Sequence, residues 1–239
     1  MSERKHPRDW KVEKLADVGV SEPFVSEFLE LYDILGGTMF ADAEKTKIKD
    51  TMGTVLMDGL IPTFLELRGI RTSVGKDVPR VDRYQLYEDF ARKLWKSYKD
   101  LTQRAGKAMG FDIGFLYQEE KGFEDGLTQF RTDWPALKAG FENFVRDNRN
   151  KWQVELRRFR NGFLEHQQGD RVEFRKFYDA TFVETLFSTV WGTIVDLLVI
   201  LMSLKLPPRV HIVVNDEQIH GPWPNRFRWV IEGPMKMAD

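Results

Sequence analysis

The stretch FVETLFSTVWGTIVDLLVILMSL, residues 182–204, is the most apolar part of the chain and decides its fold. It is too long for a strand and precedes the helix stop signal Pro207–Pro208. Glu184 and Asp196 interrupt it, so no apolar run reaches the roughly 20 residues that a membrane span requires. Its apolar residues exceed what one helix face needs, which predicts a helix buried on most of its circumference by neighbouring helices.

Helical spacing of apolar residues continues upstream of this stretch. The clearest stripe consists of Tyr87, Phe90, Leu94, Tyr98, Leu101, Ala105 and Ala108, at steps of three and four residues. We predict further helices over residues 22–36, over residues 43–67 with a bend at Pro62, and from Pro135 to about residue 168. The glycine-punctuated residues 110–127 are predicted to form a packed connection with short helical turns. The fold class is therefore all-α, a helical bundle.

We predict three regions in the chain. Residues 1–81 form an N-terminal helical extension, residues 82–206 the helical core, and residues 207–239 a C-terminal appendage. Within the appendage, residues 209–214 (RVHIVV) and 226–231 (RFRWVI) are β-branched or aromatic runs separated by glycine and proline. This pattern is typical of a short β-hairpin.

Composition also excludes several classes of protein. The chain has no cysteine, which excludes disulfides, thiol catalysis and cysteine-based zinc sites. Its 36 basic and 37 acidic residues nearly cancel, so any contact with nucleic acid must be local. The four histidines lack the spacing of a helical metal pair, and we predict no metal and no other cofactor. The first residues, MSERKHPRDWKVEK, lack the apolar segment of a signal peptide, so we expect a soluble cytoplasmic protein without membrane contact.

Residues 146–176 are locally basic, with nine basic and five acidic side chains and a net charge of +4. Gln153, Arg157 and Arg160 are spaced four and three apart and share one helix face. Clustered positive charges destabilise a helix unless an anion or a carboxylate compensates for them. We therefore predict that Gln153, Arg157 and Arg158 bind substrate. The alternative is structural, because basic residues near a helix C-terminus also stabilise the helix dipole.

The sequence RNGFLEH, residues 160–166, contains a recognisable motif. Arg160 and Asn161, followed by four residues and His166, resemble the RNxxxxH motif of the HEPN superfamily, which comprises compact helical bundles of many prokaryotic toxin and defence proteins. The two long helical patterns around the motif agree, and the resemblance covers residues 82–206. It implies a metal-independent endoribonuclease that leaves 2′,3′-cyclic phosphate and 5′-OH ends. It also implies catalytic roles for Arg160, Asn161 and His166, a homodimer in which two motifs meet, and an antitoxin-type protein partner.

The chemistry of these residue types agrees with RNA cleavage. Histidine suits proton transfer near neutral pH, and arginine offers phosphate a planar pair of donors. However, six residues of α-helix rotate by about 600°, which leaves Arg160 and His166 about 120° apart. A helix break at Gly162, or a group from the partner subunit, would bring them to one phosphate.

Two alternatives to an enzyme stay open. One is a non-catalytic helical module that binds a nucleotide, RNA or a protein partner through the same basic face. The other is a structural protein that forms oligomers through residues 182–204.

Overall fold

The helices of the chain form an all-α bundle. A computed structural model describes residues 22–74, 76, 79–137, 140–167, 169–214 and 227–231. The α-helices in these ranges are α1 (Glu22–Gly36), α2 (Asp42–Val55), α3 (Ile61–Ser73), α4 (Arg80–Ala108), α5 (Glu120–Asp133), α6 (Gly140–Asn148), α7 (Val154–Arg157) and α8 (Ala180–Ser203). Three π-helical segments, Leu56–Leu60, Arg149–Gln153 and Arg158–Glu165, and two 3₁₀ turns, Gly114–Tyr117 and Arg175–Tyr178, complete the helical part.

Helix α8 lies at the centre of the bundle, as its apolar sequence predicts. It packs against α1, α3 and α4, and Ile194, Leu198 and Leu201 are fully buried. The Asp179 carboxylate caps its first turn by accepting a 2.8 Å hydrogen bond from the Phe182 amide. By length and composition α8 could cross a membrane, but 67% of its most apolar 18-residue stretch is buried inside the bundle. This burial is what a core helix requires.

Helix α4 is the second central element. Its predicted stripe is confirmed from Tyr87 to Ala105, because every apolar residue of the stripe over that range is buried. Gly110 follows the helix with φ +83°, a conformation that favours glycine and ends the helical path. Both α2 and α3 pack against α4, so side chains on either side of residue 81 belong to one hydrophobic core. The domain boundary at residue 81 stays a prediction.

The helix is widened just before Pro62, the residue at which the sequence predicts a bend. Residues Leu56–Leu60 are π-helical, and α3 begins at Ile61 with Pro62 in its first turn. Proline has no amide hydrogen, so it cannot bond to the carbonyl four residues earlier, and the hydrogen-bond ladder shifts there.

Two boundaries predicted from the sequence are wrong. The predicted connection at residues 110–127 holds as far as residue 119, with the short helical turn Gly114–Tyr117, but it ends earlier than predicted. Residues 120–127 belong to α5, whose Phe123, Leu127 and Phe130 are buried at steps of four and three. The predicted helix start at Pro135 also fails. The Leu137 amide bonds to the Trp134 carbonyl at 3.0 Å, which places Pro135 in a turn, and the next helix begins at Gly140.

The C-terminal appendage contains two strands, β1 (Val210–Val214) and β2 (Phe227–Ile231). They pair antiparallel, with Ile212 opposite Trp229. This pairing agrees with the predicted hairpin. Residues 215–226 between the strands lie outside the described residues. Residues 1–21 of the N-terminal extension also lie outside them.

Candidate functional site

Residues 146–165 of the basic segment lie on one continuous helical path that begins with α6. The path passes from α6 through the π-helical Arg149–Gln153, the short α7, and the π-helical Arg158–Glu165. π-helical segments are rare and often occur at functional sites. The helix runs through Gly162 without a break, so the break that would bring Arg160 and His166 together is absent from this subunit.

The helix ends directly after the motif. His166 is the first residue beyond the π-helical turn, with φ −109° and ψ 2°, and its amide donates to the Asn161 carbonyl at 3.1 Å. Gln167 has φ +53° and Gly169 has φ +83°, and neither value is helical. The His166 side chain is exposed at this end. Such sparsely populated backbone conformations are common at binding and catalytic sites.

Arg160 is held by its neighbours on the same helix. Its Nη1 donates to Asn161 Oδ1 at 2.8 Å, and its Nη2 lies 2.6 Å from Glu165 Oε1. The side chain is 29% exposed, and its buried Nε has no hydrogen-bond partner among the described residues. The guanidinium is therefore oriented, partly accessible to solvent, and already paired with one carboxylate. The i to i+5 spacing of Arg160 and Glu165 matches a π-helical turn, which the sequence alone did not predict.

Four of the six predicted site residues line one cleft, whereas Arg160 and His166 lie outside its lining. The cleft has a volume of ≈ 370 Å³, within the range of sites for small ligands. Gln153, Arg157, Arg158 and Asn161 form one wall, and Glu119 with Glu120 at the start of α5 forms the other.

The side chains of the cleft are tied to the protein itself. The buried Gln153 amide donates to the Leu116 carbonyl, and Arg157 donates to the Gln118 carbonyl at 3.1 Å and pairs with Glu119. Arg158 is 65% exposed and pairs with Glu173. Gln153 therefore positions the wall of the cleft, while Arg157 and Arg158 are its accessible cations.

The net charge of +4 over residues 146–176 is compensated by carboxylates from other parts of the chain. Arg146 pairs with Glu124 and Glu142, Arg149 with Glu120, Arg157 with Glu119, and Arg171 with Glu88. Glu119 and Glu120 look like solvated charges in the sequence, and their side chains are indeed 84% and 74% exposed. Because the Glu119 carboxylate is so exposed, its pair with Arg157 contributes about 0–1 kcal/mol, and an incoming anion could displace it at low cost.

The loop after the motif is anchored to α4. Tyr178 Oη donates to Glu88 Oε1 at 2.9 Å, and Arg171 stacks on the Tyr84 ring at 4.8 Å from its centroid. Burial, followed by the hydrogen bond to Glu88, raises the pKa of Tyr178. Beneath Arg160, the Phe159 ring stacks on Phe177 with centroids 4.3 Å apart. These contacts fix the position of the helix end that carries His166.

Among the residues that the structure describes, no group of three or more histidine, aspartate or glutamate side chains could hold a metal ion. No protein-family profile, curated protein sequence or solved structure matches the chain. The fold defines the class of protein as an all-α helical bundle.

Proposed function

We propose that the protein is a cytoplasmic, HEPN-like homodimer that cleaves RNA without a metal ion, with Arg160, Asn161 and His166 at the reacting phosphate. The observation that supports this proposal most is the ordered Arg160–Asn161 pair, joined at 2.8 Å, on the helix turn that ends in the exposed imidazole of His166. A donor for phosphate and a proton-transfer group therefore lie at one end of one helix.

The chemistry assigns each of these groups a step. The His166 imidazole takes the proton of the ribose 2′-OH, whose oxygen attacks the adjacent phosphorus. The bond from phosphorus to the 5′-oxygen breaks, and the imidazolium formed in the attack passes its proton, through water, to the leaving oxygen. The products are a 2′,3′-cyclic phosphate and a 5′-OH end. Arg160 stabilises the charge that builds on the phosphoryl oxygens, which requires it to shift from Glu165 towards the phosphate.

A homodimer can bring an arginine and a histidine to one phosphate, which a single subunit does not do. Because the helix continues through Gly162, no kink in this subunit turns Arg160 and His166 towards each other. We therefore place Arg160 of one subunit opposite His166 of the other at a shared cleft, as closed two-fold pairing permits. An antitoxin-type protein would be a further partner of the same dimer.

Cleavage of total RNA in EDTA tests the proposal. Wild-type protein should cleave, and His166→Ala should not, although both fold. Arg160→Lys should also fail, because lysine keeps the charge but loses the two-pronged contact with phosphate. Cleavage abolished by EDTA, or a wild-type rate in His166→Ala, would contradict the proposal.

A non-catalytic role is the second candidate, and the composition of the cleft favours it. The cleft gathers Arg157, Arg158 and Asn161 and leaves out both Arg160 and His166. A nucleotide or RNA phosphate could replace the exposed Glu119 carboxylate beside Arg157. Binding that is lost in Arg157→Ala, from a wild-type protein that cleaves no RNA, would favour this candidate.

A further inference from the structure

A wide groove lies away from the motif, between α2 and the last turns of α4. Its volume is ≈ 660 Å³. Helix α2 contributes Lys47 and Asp50 together with three threonines, and α4 contributes Arg104 and Lys107. Along α2 the lining extends from Ala43 to Thr54, about 16 Å at 1.5 Å per residue.

The cations of this groove differ from those around Arg160. Most arginines of the motif region are paired with carboxylates. In contrast, Lys47, Arg104 and Lys107 are exposed and make no ion pair, side-chain hydrogen bond or ring contact with any residue that the structure describes. Asp50 is the single acidic residue of the lining, so the groove keeps a net positive charge.

The lining restricts the chemistry of a ligand. It contains no aromatic and no large apolar side chain, so it offers neither a stacking platform for a base nor an apolar pocket. The hydroxyls of Thr46 and Thr54 donate to the carbonyls of Asp42 and Asp50 at 3.0 and 2.9 Å. The donors left for a ligand are chiefly the three cations, which recognise negative charge. Lysine and arginine of this kind bind phosphate oxygens without reading base sequence.

We infer that this groove binds the phosphates of an RNA backbone. The groove is open and longer than one phosphate group, which suits an extended chain better than a small enclosed anion. The choice of RNA as the ligand rests on the proposed function. The positive charge of the groove and its unpaired cations are observed independently of that function. The groove would hold the RNA strand and raise its affinity, independently of any chemistry at His166.

Fluorescence anisotropy with a labelled single-stranded RNA of about 20 nucleotides tests the inference over a salt series. The triple variant Lys47→Ala, Arg104→Ala, Lys107→Ala should bind at least tenfold more weakly. The slope of log affinity against log salt concentration should be shallower for this variant by about 2, the value for three phosphate contacts on a single strand. A matched control removes the same charge elsewhere, at the exposed Lys76, Lys99 and Arg209, and should bind like the wild type.

The outcomes separate this inference from the proposed function. Wild-type affinity and slope in the groove variant would overturn the groove as a binding site, whatever the protein cleaves. Groove-dependent binding by a wild-type protein that never cleaves would support the groove and remove the proposed cleavage. If inorganic tripolyphosphate displaces the RNA at a concentration similar to that of the RNA itself, the inference that the groove prefers an extended RNA backbone is overturned. Circular dichroism should show that both triple variants are folded, because all six positions are exposed.

Discussion

Replacing Phe159 by alanine should destabilise the protein strongly although the residue is adjacent to a site residue. The Phe159 ring is fully buried, stacks on Phe177 at 4.3 Å with an interplanar angle of 8°, and contacts Phe163, Phe174 and Tyr178. Removing a buried phenylalanine costs about 3–5 kcal/mol in lost burial and cavity formation. The rings around Phe159 come from both the helix and the following loop, so relaxation cannot fill the cavity easily. We expect a loss of about 4 kcal/mol in the free energy of unfolding.

Urea denaturation followed by circular dichroism measures this loss as a lower midpoint at an unchanged slope. Arg160→Ala is the matched control, because its partly exposed side chain makes only local polar contacts and should cost about 1 kcal/mol. The two adjacent positions should therefore differ by about 3 kcal/mol. A loss below about 2 kcal/mol for Phe159→Ala would refute the aromatic cluster as the support of the helix end.

Three further perturbations test other parts of the structure. Gly126→Ala should lower the free energy of unfolding by about 1–3 kcal/mol, because its new Cβ would lie 2.1 Å from a side-chain atom of Phe115. Gly36→Ala is the control, since its new Cβ meets nothing within 4 Å. Equal thermal denaturation of the two variants would contradict this packing. Tyr178→Phe should cost about 1 kcal/mol in urea denaturation, because buried Glu88 loses one donor, and an unchanged midpoint would count against that hydrogen bond. Glu119→Gln should change the free energy of unfolding by less than about 0.5 kcal/mol, because the Glu119 carboxylate in this ion pair is exposed. If Arg157 contacts phosphate, the same variant should bind RNA more tightly in fluorescence anisotropy. Weaker RNA binding would refute that contact.

The elements predicted best from the sequence are those whose burial is dictated by their own residues. Helix α8 is apolar on nearly all sides, and α4 carries a long stripe at steps of three and four, so both follow from periodicity alone. Helix α5 was missed because Gly122 and Gly126 interrupt its pattern. Gly126 is needed there, since Phe115 packs directly against its backbone. A glycine that allows close packing and one that breaks a helix look alike in a sequence.

The place of the candidate residues at a helix end was predictable, whereas the surroundings of that helix end were not. The sequence places Arg160, Asn161 and His166 near a helix end, and the structure has them there. The partners of the basic face could not be predicted, because Glu119 and Glu120 reach it from the start of a different helix, 38 and 29 residues away in the chain from Arg157 and Arg149. The π-helical turn that pairs Arg160 with Glu165 has no sequence signal that we could identify.

Complementation between two inactive variants tests the proposed composite site most directly. Arg160→Ala and His166→Ala should each be inactive alone. After the subunits are mixed and exchanged, mixed dimers would contain one site with both groups intact, and RNA cleavage in EDTA should return to about a quarter of the wild-type rate. A mixture as inactive as either variant, beside an active wild type whose subunits exchange, would contradict a site shared between two subunits.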